Sequence, residues 1–309
     1  MLSLAEVAVA FVSFMGLVAS AALISEGASR LEKALGQGLV GGIMIGLAET
    51  MPETAVVTVS AYYGDQAVAL GSALGGNILL FTLGIGAIGV AFTTTYKEIM
   101  TITSEYRLEN RYLLLATLAL MALIVYGRLD LYSGLALVVL YFAYLTERFR
   151  KSATRESREP VTKESAIMLV AGLVLGALSS GPFAYSVSSL SQGLGVDPLV
   201  LSLVIAPLAT DVDAILTSLV LVRKSPDGAS LGVLSLVGSK IENATILLGI
   251  IGLLNPLSAQ AYIVDLSFFV VSNAIALYVL WDRTLGLKES LALLAIYALM
   301  IASLYFMNG

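Results

Sequence analysis

AETMPET at residues 48–54 is matched by LATDVDA at residues 208–214, and each segment interrupts a long apolar stretch. Both place a threonine three residues before a carboxylate, Thr50 before Glu53 and Thr210 before Asp213. A carboxylate at the centre of a bilayer costs about 2.5 to 3.5 kcal/mol on insertion scales and marks a functional site by default. The two segments therefore predict a membrane protein made of two related halves, each with an acidic site at its centre.

The chain is too apolar for a water-soluble globule, because 58% of its 309 residues are hydrophobic and only 13% are charged. Apolar runs long enough to cross a bilayer recur between short polar breaks. We predict an all-α integral membrane protein with ten transmembrane helices, over residues 5–25, 38–63, 67–92, 111–126, 131–146, 166–186, 198–222, 229–253, 262–281 and 289–307.

Five predicted spans lie on each side of one long polar segment, so equivalent helices of the two halves must cross the membrane in opposite directions. We predict two inverted five-helix repeats, residues 1–146 and 166–309, joined by a charged linker at residues 147–165. A second match supports the repeat, since GSALGGNI at residues 71–78 corresponds to LSLVGSKI at residues 234–241.

The charged residues predict how the chain is oriented in the membrane and exclude nucleic acid as a partner. Fifteen of the 17 Lys and Arg residues fall on one side of the predicted topology, which is then the cytoplasmic side. We expect a cell-membrane protein with both termini outside and the linker at 147–165 in the cytoplasm. A net charge of −5 offers no face for nucleic acid. The expected partners are the lipid bilayer and inorganic cations, and a monomer should be sufficient for transport.

The chain has no cysteine and no histidine, so any metal chemistry depends on oxygen ligands. On a helix, a spacing of three places Thr50 with Glu53 and Thr210 with Asp213 on common faces, and a spacing of four adds Glu49. Ca²⁺ takes six to eight oxygen ligands, whereas Mg²⁺ gives up its water reluctantly. The acidic segments therefore favour Ca²⁺.

The acidic segments are also expected to bend their helices. Pro52 removes a backbone hydrogen bond in the first half, and Pro207 does so one turn before Asp211 in the second. Asp211 lies about 200° around an ideal helix from Asp213, so both can reach one site only if that helix is broken. We predict breaks near Pro52 and Val212 that let the carboxylates meet near the membrane midplane.

The paired segments resemble the alpha repeats of the sodium/calcium exchanger and cation/proton exchanger superfamily, especially its prokaryotic and archaeal members. The hallmark of that family is a Gly-Thr-Ser-x-Pro-Glu-like stretch followed by Gly-Asn-x-x-Gly-Ser-Asn. The resemblance implies that Glu53 and Asp213 bind Ca²⁺. It also implies supporting oxygens from Thr50, Thr210, Ala48, Ala209, Asn77, Asn243, Ser72 and Ser235.

Several positions depart from the family pattern. Glu49 stands where sodium-coupled members have Thr, and Leu80 stands where they have a sodium-site Asn. Asn243 replaces an acidic residue, and Lys240 takes the position equivalent to Asn77. These changes remove oxygens that would hold Na⁺. They favour a proton, or charge compensation by Lys240, with Na⁺ as the alternative counter-ion.

Lys240 is the one basic residue placed within a predicted span. A buried ammonium is tolerated beside a carboxylate or in its neutral form. Lys240 therefore either has a structural role, as a snorkel to an interface or a fixed pin on Asp211 or Glu242, or is a built-in cation that takes part in coupling. As a coupling hypothesis, Lys240 pairs with Asp213 or Asp211 when the divalent ion is absent. Lys240, Asp211 and Glu242 are the coupling candidates.

The sequence thus predicts a secondary-active antiporter that exchanges a divalent cation, Ca²⁺, for H⁺ or Na⁺ by alternating access, with no cofactor and no enzymatic activity. A sodium/calcium exchanger proper and a passive cation channel are the alternatives, and a channel would need a continuous pore. An intramembrane aspartyl protease is disfavoured because its Tyr-Asp and Gly-x-Gly-Asp signatures are absent.

Overall fold

The computed structural model describes residues 3–35, 50–102, 106–152 and 163–308. In the first sequence half the elements are α1 (Leu4–Leu35), α2 (Met51–Tyr62), α3 (Gln66–Ile78), the π-helical segment π1 (Leu79–Gly84), α4 (Ile85–Tyr96), β1 (Met100–Thr101), α5 (Arg107–Tyr126), β2 (Arg128–Leu129) and α6 (Leu131–Ser152). In the second half they are α7 (Lys163–Leu194), α8 (Pro198–Thr210), α9 (Val212–Lys224), α10 (Pro226–Glu242), the π-helical segment π2 (Asn243–Leu247), α11 (Leu248–Leu254), β3 (Leu257–Ser258), α12 (Ile263–Asp282), β4 (Thr284–Leu285) and α13 (Leu287–Asn308).

The fold is that of a helical membrane protein. Within the described ranges, five helices are long and apolar enough to cross a bilayer: Leu4–Gly27, Gln66–Tyr96, Arg107–Tyr126, Lys163–Leu194 and Pro226–Leu254. A sixth span is formed if α8 and α9, which are bent by 48° at a short break, count as one. The predicted number of ten spans remains a prediction.

Two helices at corresponding places in the two sequence halves have equal lengths. Both α5 and α12 have 20 residues. Also, α5 and α12 both end in a left-handed residue, Gly127 with φ 85° and Arg283 with φ 59°. Glycine adopts this conformation without steric cost, whereas an arginine there is uncommon.

The third span of each half contains a π-helical segment at the same place in the matched sequence. Thr82 Oγ1 donates to Ile78 O at 2.5 Å in π1, and Thr245 Oγ1 donates to Ile241 O at 2.5 Å in π2. A π turn disturbs the regular hydrogen-bond ladder of a helix, and such turns are frequent at functional sites. In each half, a threonine hydroxyl therefore supplies a donor to a carbonyl where the ladder changes.

The four short strands pair between the two sequence halves. Strand β1 runs antiparallel to β4, with Met100 opposite Leu285, and β2 runs antiparallel to β3, with Leu129 opposite Leu257. Each strand thus finds its partner in the other half rather than in its own.

The chain divides into two compact units, and neither is a sequence half. The first unit comprises the described residues within 1–72 and 139–213, and the second comprises those within 73–138 and 214–309. Each unit combines elements from both halves. The boundaries predicted for the repeats, at residues 146 and 166, remain predictions.

In the first unit, α1 and α7 pack closely through small residues. Ser20 Oγ donates to Gly172 O at 2.7 Å. A Cβ on Gly172 would lie 2.6 Å from Ile24 Cγ1 and 3.0 Å from Ser20 O, so a larger side chain would require α1 to shift. Small residues at a helix crossing let two backbones approach in a membrane. Helix α8 also packs on α1, and α2 packs on α7.

Candidate cation site

Glu53 lies at the beginning of α2, in a buried position. Thr50 is the N-cap residue of this helix, Pro52 lies in its first turn, and Glu53 follows in the same turn. Thr50 is 4% exposed and Glu53 is 1% exposed. The amide that proline lacks has no helical partner at this position anyway. The residues ahead of Thr50 lie outside the described part of the chain, so the break expected near Pro52 stays a prediction.

Asp213 also lies at the beginning of a helix in the second half, in a half-buried position. Helix α8 ends at Thr210, Asp211 is its C-cap residue, and Asp213 lies in the first turn of α9. The Asp211 amide donates to Pro207 O at 2.8 Å, which closes the end of α8. The break predicted near Val212 therefore lies at Asp211, as the sequence indicated.

The break changes the expected geometry of only one of the two threonines. Thr210 belongs to α8 and Asp213 to α9, so the two do not share the face of one continuous helix. Thr50 is the N-cap residue of α2 with helical φ and ψ, and its carbonyl accepts from the Thr54 amide at 3.0 Å. A spacing of three along one helix therefore describes Thr50 and Glu53 but not Thr210 and Asp213.

Both carboxylates therefore lie at the amino end of a helix, which carries a partial positive charge. Helix α2 and helix α8, which ends just ahead of Asp213, share one packed core in the first unit. Val56, one turn after Glu53, joins Ala206 and Ala209 of α8 in a single buried hydrophobic cluster. The fold thus brings the acidic end of α2 and the end of α8 into the same compact unit.

Two hydroxyls accompany the second acidic segment. Thr210 Oγ1 donates to Ala206 O at 3.1 Å, so its lone pairs remain available to accept or to ligate. Ser25 of α1 interacts with the Asp213 carboxylate through a side-chain hydrogen bond. Sequence reasoning missed Ser25, because only the packing of α1 reveals the contact.

Ser72 is engaged in helix packing. Ser72 Oγ donates to Val68 O at 2.8 Å and lies 3.0 Å from Ser202 Oγ, and Ser202 Oγ donates to Val68 O at 2.9 Å. Both serines are fully buried. These two hydroxyls join α3 to α8 within the first unit, and Ser202 was not among the predicted residues.

In the second unit, Lys240 and Asn77 lie together. Lys240 Nζ donates to Asn77 O at 3.0 Å, to Asn77 Oδ1 at 2.7 Å and to Ser272 Oγ at 2.7 Å. The ammonium also lies 5.1 Å from the centre of the Phe81 ring. Asn77 Nδ2 donates to Asn273 Oδ1 at 3.1 Å. All five residues are fully buried.

This arrangement corrects the expected partners of Lys240. Its three hydrogen bonds use all three ammonium hydrogens, and every acceptor is a neutral oxygen. Lys240 therefore does not form the fixed ion pair with Asp211 or Glu242, nor the pair with Asp213, that the sequence suggested. Ser272 and Asn273 were missed, although they form a polar pair within the apolar run 262–281 and could have been singled out.

The remaining predicted residues are placed as follows. Asn243 is fully buried and begins π2, Glu242 ends α10 and is 5% exposed, Ser235 is half-buried on α10, and Ala209 is buried near the end of α8. Ala48 and Glu49 lie outside the described residues. Among the residues that the structure does describe, no three Asp or Glu side chains converge as a metal cluster.

Comparison with known proteins identifies relatives over nearly the whole chain. A family model described as sodium/calcium exchanger protein matches residues 6–149 and 164–306. The inner membrane protein YrbG of Escherichia coli (strain K12) is 25% identical over 266 residues, which cover 80% of this chain and 79% of YrbG.

Two solved structures are similar in fold. The crystal structure of the H⁺/Ca²⁺ exchanger CAX superimposes with a TM-score of 0.78 at 21% identity, covering 98% of this chain and 86% of that one. The sodium-calcium exchanger NCX_Mj superimposes with a TM-score of 0.69 at 19% identity, covering 98% of this chain and 99% of that one. At these identities the likeness establishes the fold.

Proposed function

Since this chain belongs to the sodium/calcium exchanger protein family, we propose that it is a secondary-active antiporter that exchanges a divalent cation, Ca²⁺, for H⁺ or Na⁺. The two structures of similar fold belong to an H⁺/Ca²⁺ exchanger and a sodium-calcium exchanger. Both alternatives for the counter-ion thus have a precedent in this fold. A transporter of this kind performs no bond-making chemistry and needs no cofactor.

The observation that carries this proposal is the repeated placement of Glu53 and Asp213. Each is a carboxylate in the first turn of a helix that begins within an apolar segment, and both belong to the first compact unit. Packing alone does not require such a placement twice. Carboxylates within a membrane usually serve ion or proton pathways.

The proposed Ca²⁺ ligands are the two carboxylates and the oxygens beside them. Ca²⁺ accepts six to eight oxygens, from carboxylates, carbonyls and hydroxyls, in a flexible geometry. Glu53, Asp213, Thr50 and Thr210 form the centre of this set, with Glu49 and the carbonyls of Ala48 and Ala209 as further members. Exchange follows if Ca²⁺ and the counter-ion use the same oxygens in turn while the site faces first one side of the membrane and then the other.

The positions around the third spans support H⁺ more than Na⁺ as the counter-ion. Leu80 is fully buried and its side chain offers no oxygen. Both oxygens of Asn77 accept from Lys240, so a free Na⁺ would compete with an ammonium for them. Asn243 and Ser235 retain oxygens that Na⁺ could use, and a sodium/calcium exchanger proper remains the second candidate.

For the architecture, we propose ten spans in two inverted repeats. The equal lengths of α5 and α12 support this. The matched π segments and the exchange of strand partners between the halves support it as well. We further propose a monomer in the cell membrane, with both termini outside and the linker at 147–165 in the cytoplasm.

Ca²⁺ flux through the purified protein in sealed liposomes tests the proposal. An inside-acid proton gradient, or an inside-high Na⁺ gradient, should drive ⁴⁵Ca²⁺ uptake above its equilibrium level, and a proton ionophore should remove only the proton-driven part. Uptake that merely equilibrates Ca²⁺, whatever gradient is imposed, would indicate a passive channel and reject antiport. Absence of any Ca²⁺ flux in either gradient would reject Ca²⁺ as the cargo.

A further inference from the structure

The Lys240 ammonium is surrounded in the way that a binding site surrounds an ion. Two amide oxygens and one hydroxyl lie between 2.7 and 3.0 Å from Nζ, and the face of the Phe81 ring lies 5.1 Å away. Buried carbonyl oxygens can replace the hydration shell of a monovalent cation, and an aromatic face attracts positive charge. The site contains all the elements of a cation pocket.

We propose that Asn77, Ser272 and Phe81 form a monovalent-cation pocket whose ion is supplied by the chain itself, as the tethered ammonium of Lys240. We call these three residues the Asn77 pocket. The acceptors of Lys240 are all neutral, and a neutral set of a few oxygens suits a single charge. A Ca²⁺ site by contrast takes six to eight oxygens, with carboxylates among them.

The orientation of the neighbouring amides fits a positive charge in the pocket. Asn77 directs Oδ1 to Lys240 Nζ and Nδ2 to Asn273 Oδ1, at 2.7 and 3.1 Å. With the opposite orientation, the Asn77 amino group would face an ammonium that has no acceptor to offer. The Asn273 side chain is oriented in turn, because its Oδ1 accepts from Asn77 Nδ2. Two buried amides are therefore aligned by one cation.

The sequence match explains why this position is occupied by a tethered ion. Lys240 and Asn77 are equivalent residues in LSLVGSKI and GSALGGNI. One half thus contributes the oxygens and the other half contributes the cation. The pocket then carries a fixed charge rather than an exchangeable ion, and this holds whether or not the chain exchanges Ca²⁺.

Removing the tether should leave a pocket that binds a free cation. Lys240→Ala keeps the oxygens and leaves space, whereas Lys240→Met fills the same space with an uncharged side chain and is the matched control. Thermal unfolding of the purified full chain in detergent is measured in increasing ammonium chloride and, separately, sodium chloride, with choline chloride holding the ionic strength constant. Lys240→Ser is a second variant that lacks the ammonium, and its hydroxyl adds an oxygen to the pocket. It is purified in ammonium chloride, so that a free cation is present from the start.

We expect ammonium, sodium or both to raise the Tm of Lys240→Ala in a saturable manner, by about 3 °C at ten times the Kd. The wild-type chain and Lys240→Met should show no such rise, and Ser272→Ala combined with Lys240→Ala should weaken it. An equal response of Lys240→Ala and Lys240→Met would overturn the proposal. So would failure of both Lys240→Ala and Lys240→Ser to fold even in ammonium chloride, since a free cation should replace the tethered one.

Discussion

Asn77 and Lys240 bind each other in both directions. Lys240 Nζ donates to the backbone and side-chain oxygens of Asn77, at 3.0 and 2.7 Å, and Asn77 Nδ2 lies 3.5 Å from the backbone oxygen of Lys240. These residues occupy matched positions of the two repeated segments. The contact between them therefore joins the third span of one half to the third span of the other within the second unit.

The contact between Ser72 and Ser202 should behave as a coupled pair. Each serine replaced by alanine should lower the free energy of unfolding by about 1 kcal/mol, because each loses a buried hydrogen bond. The double variant should lose less than the sum, since both hydroxyls share Val68 O and each other. A double-mutant cycle from detergent unfolding measures this, and strict additivity would contradict the shared network.

The crossing of α1 and α7 predicts opposite outcomes for two glycines of the same helix. Gly172→Ala should lower the unfolding free energy by about 1 to 3 kcal/mol, because its Cβ meets the backbone of α1 at 3.0 Å. Gly181→Ala is the matched control, since its Cβ would meet only Val59 Cγ1 at 3.7 Å. Unfolding curves should show the control unchanged or slightly stabilised. Equal losses in both variants would count against the close crossing.

The π segments predict a special role for two threonines. Thr82→Val and Thr245→Val should each lower the unfolding free energy by about 1 kcal/mol, because each removes a hydroxyl donor where the helical ladder changes. Thr117→Val is the control, because the Thr117 hydroxyl donates to Leu113 O within a regular helix, where that oxygen also accepts a backbone hydrogen bond. This variant should change the free energy of unfolding by less than about 0.5 kcal/mol. If all three variants lose the same stability in thermal unfolding, the π segments do not depend on these hydroxyls.

Asp130, ahead of α6, should give a pH-dependent contribution to stability. The amide of Ser133, and then the hydroxyl of Tyr126, hold the pKa of this carboxyl below its usual value of 3.8. Because the pKa is lowered on folding, the stabilisation is complete above the unfolded-state pKa and is lost as the pH falls through the folded-state pKa.

Thermal unfolding of the wild type and Asp130→Asn between pH 3 and pH 6 measures this contribution. The wild type should exceed the variant by a constant margin above about pH 5, and the margin should shrink below pH 3.8. A margin that grows on acidification would reverse the sign and contradict the assignment.

The sequence allowed the acidic segments to be located but not their surroundings. The break beside Asp213 was predictable, because two carboxylates two residues apart cannot share a face of an intact helix. The break expected near Pro52 stays a prediction, because the residues ahead of Thr50 lie outside the described part of the chain. The partner of Asp213 on α1, Ser25, depends on how two distant helices cross.

For Lys240 the sequence predicted burial but not the partners of the ammonium. Its position within an apolar span predicted a buried ammonium, and it is fully buried. The choice of partner was wrong, because electrostatic reasoning favoured a carboxylate for the ammonium. Instead, Lys240 is held by Asn77, 163 residues earlier, and by Ser272, 32 residues later. Such an arrangement arises from tertiary packing, which a single sequence does not report.

The central claim is that Glu53 and Asp213 carry the transported ion, and the most direct measurement is proton-driven ⁴⁵Ca²⁺ uptake by matched variants in liposomes. Glu53→Gln and Asp213→Asn keep the shape of the side chain and remove its charge, and Glu164→Gln is the control, since Glu164 is an exposed acidic residue in the first turn of α7. We predict that uptake falls at least about 10- to 100-fold in the first two variants, since loss of a charged ligand should cost no less than loss of a residue that supports one. Uptake should be unchanged in the control, and all three proteins should be extracted as folded chains. Uptake at the wild-type rate in folded Glu53→Gln and Asp213→Asn would contradict the account.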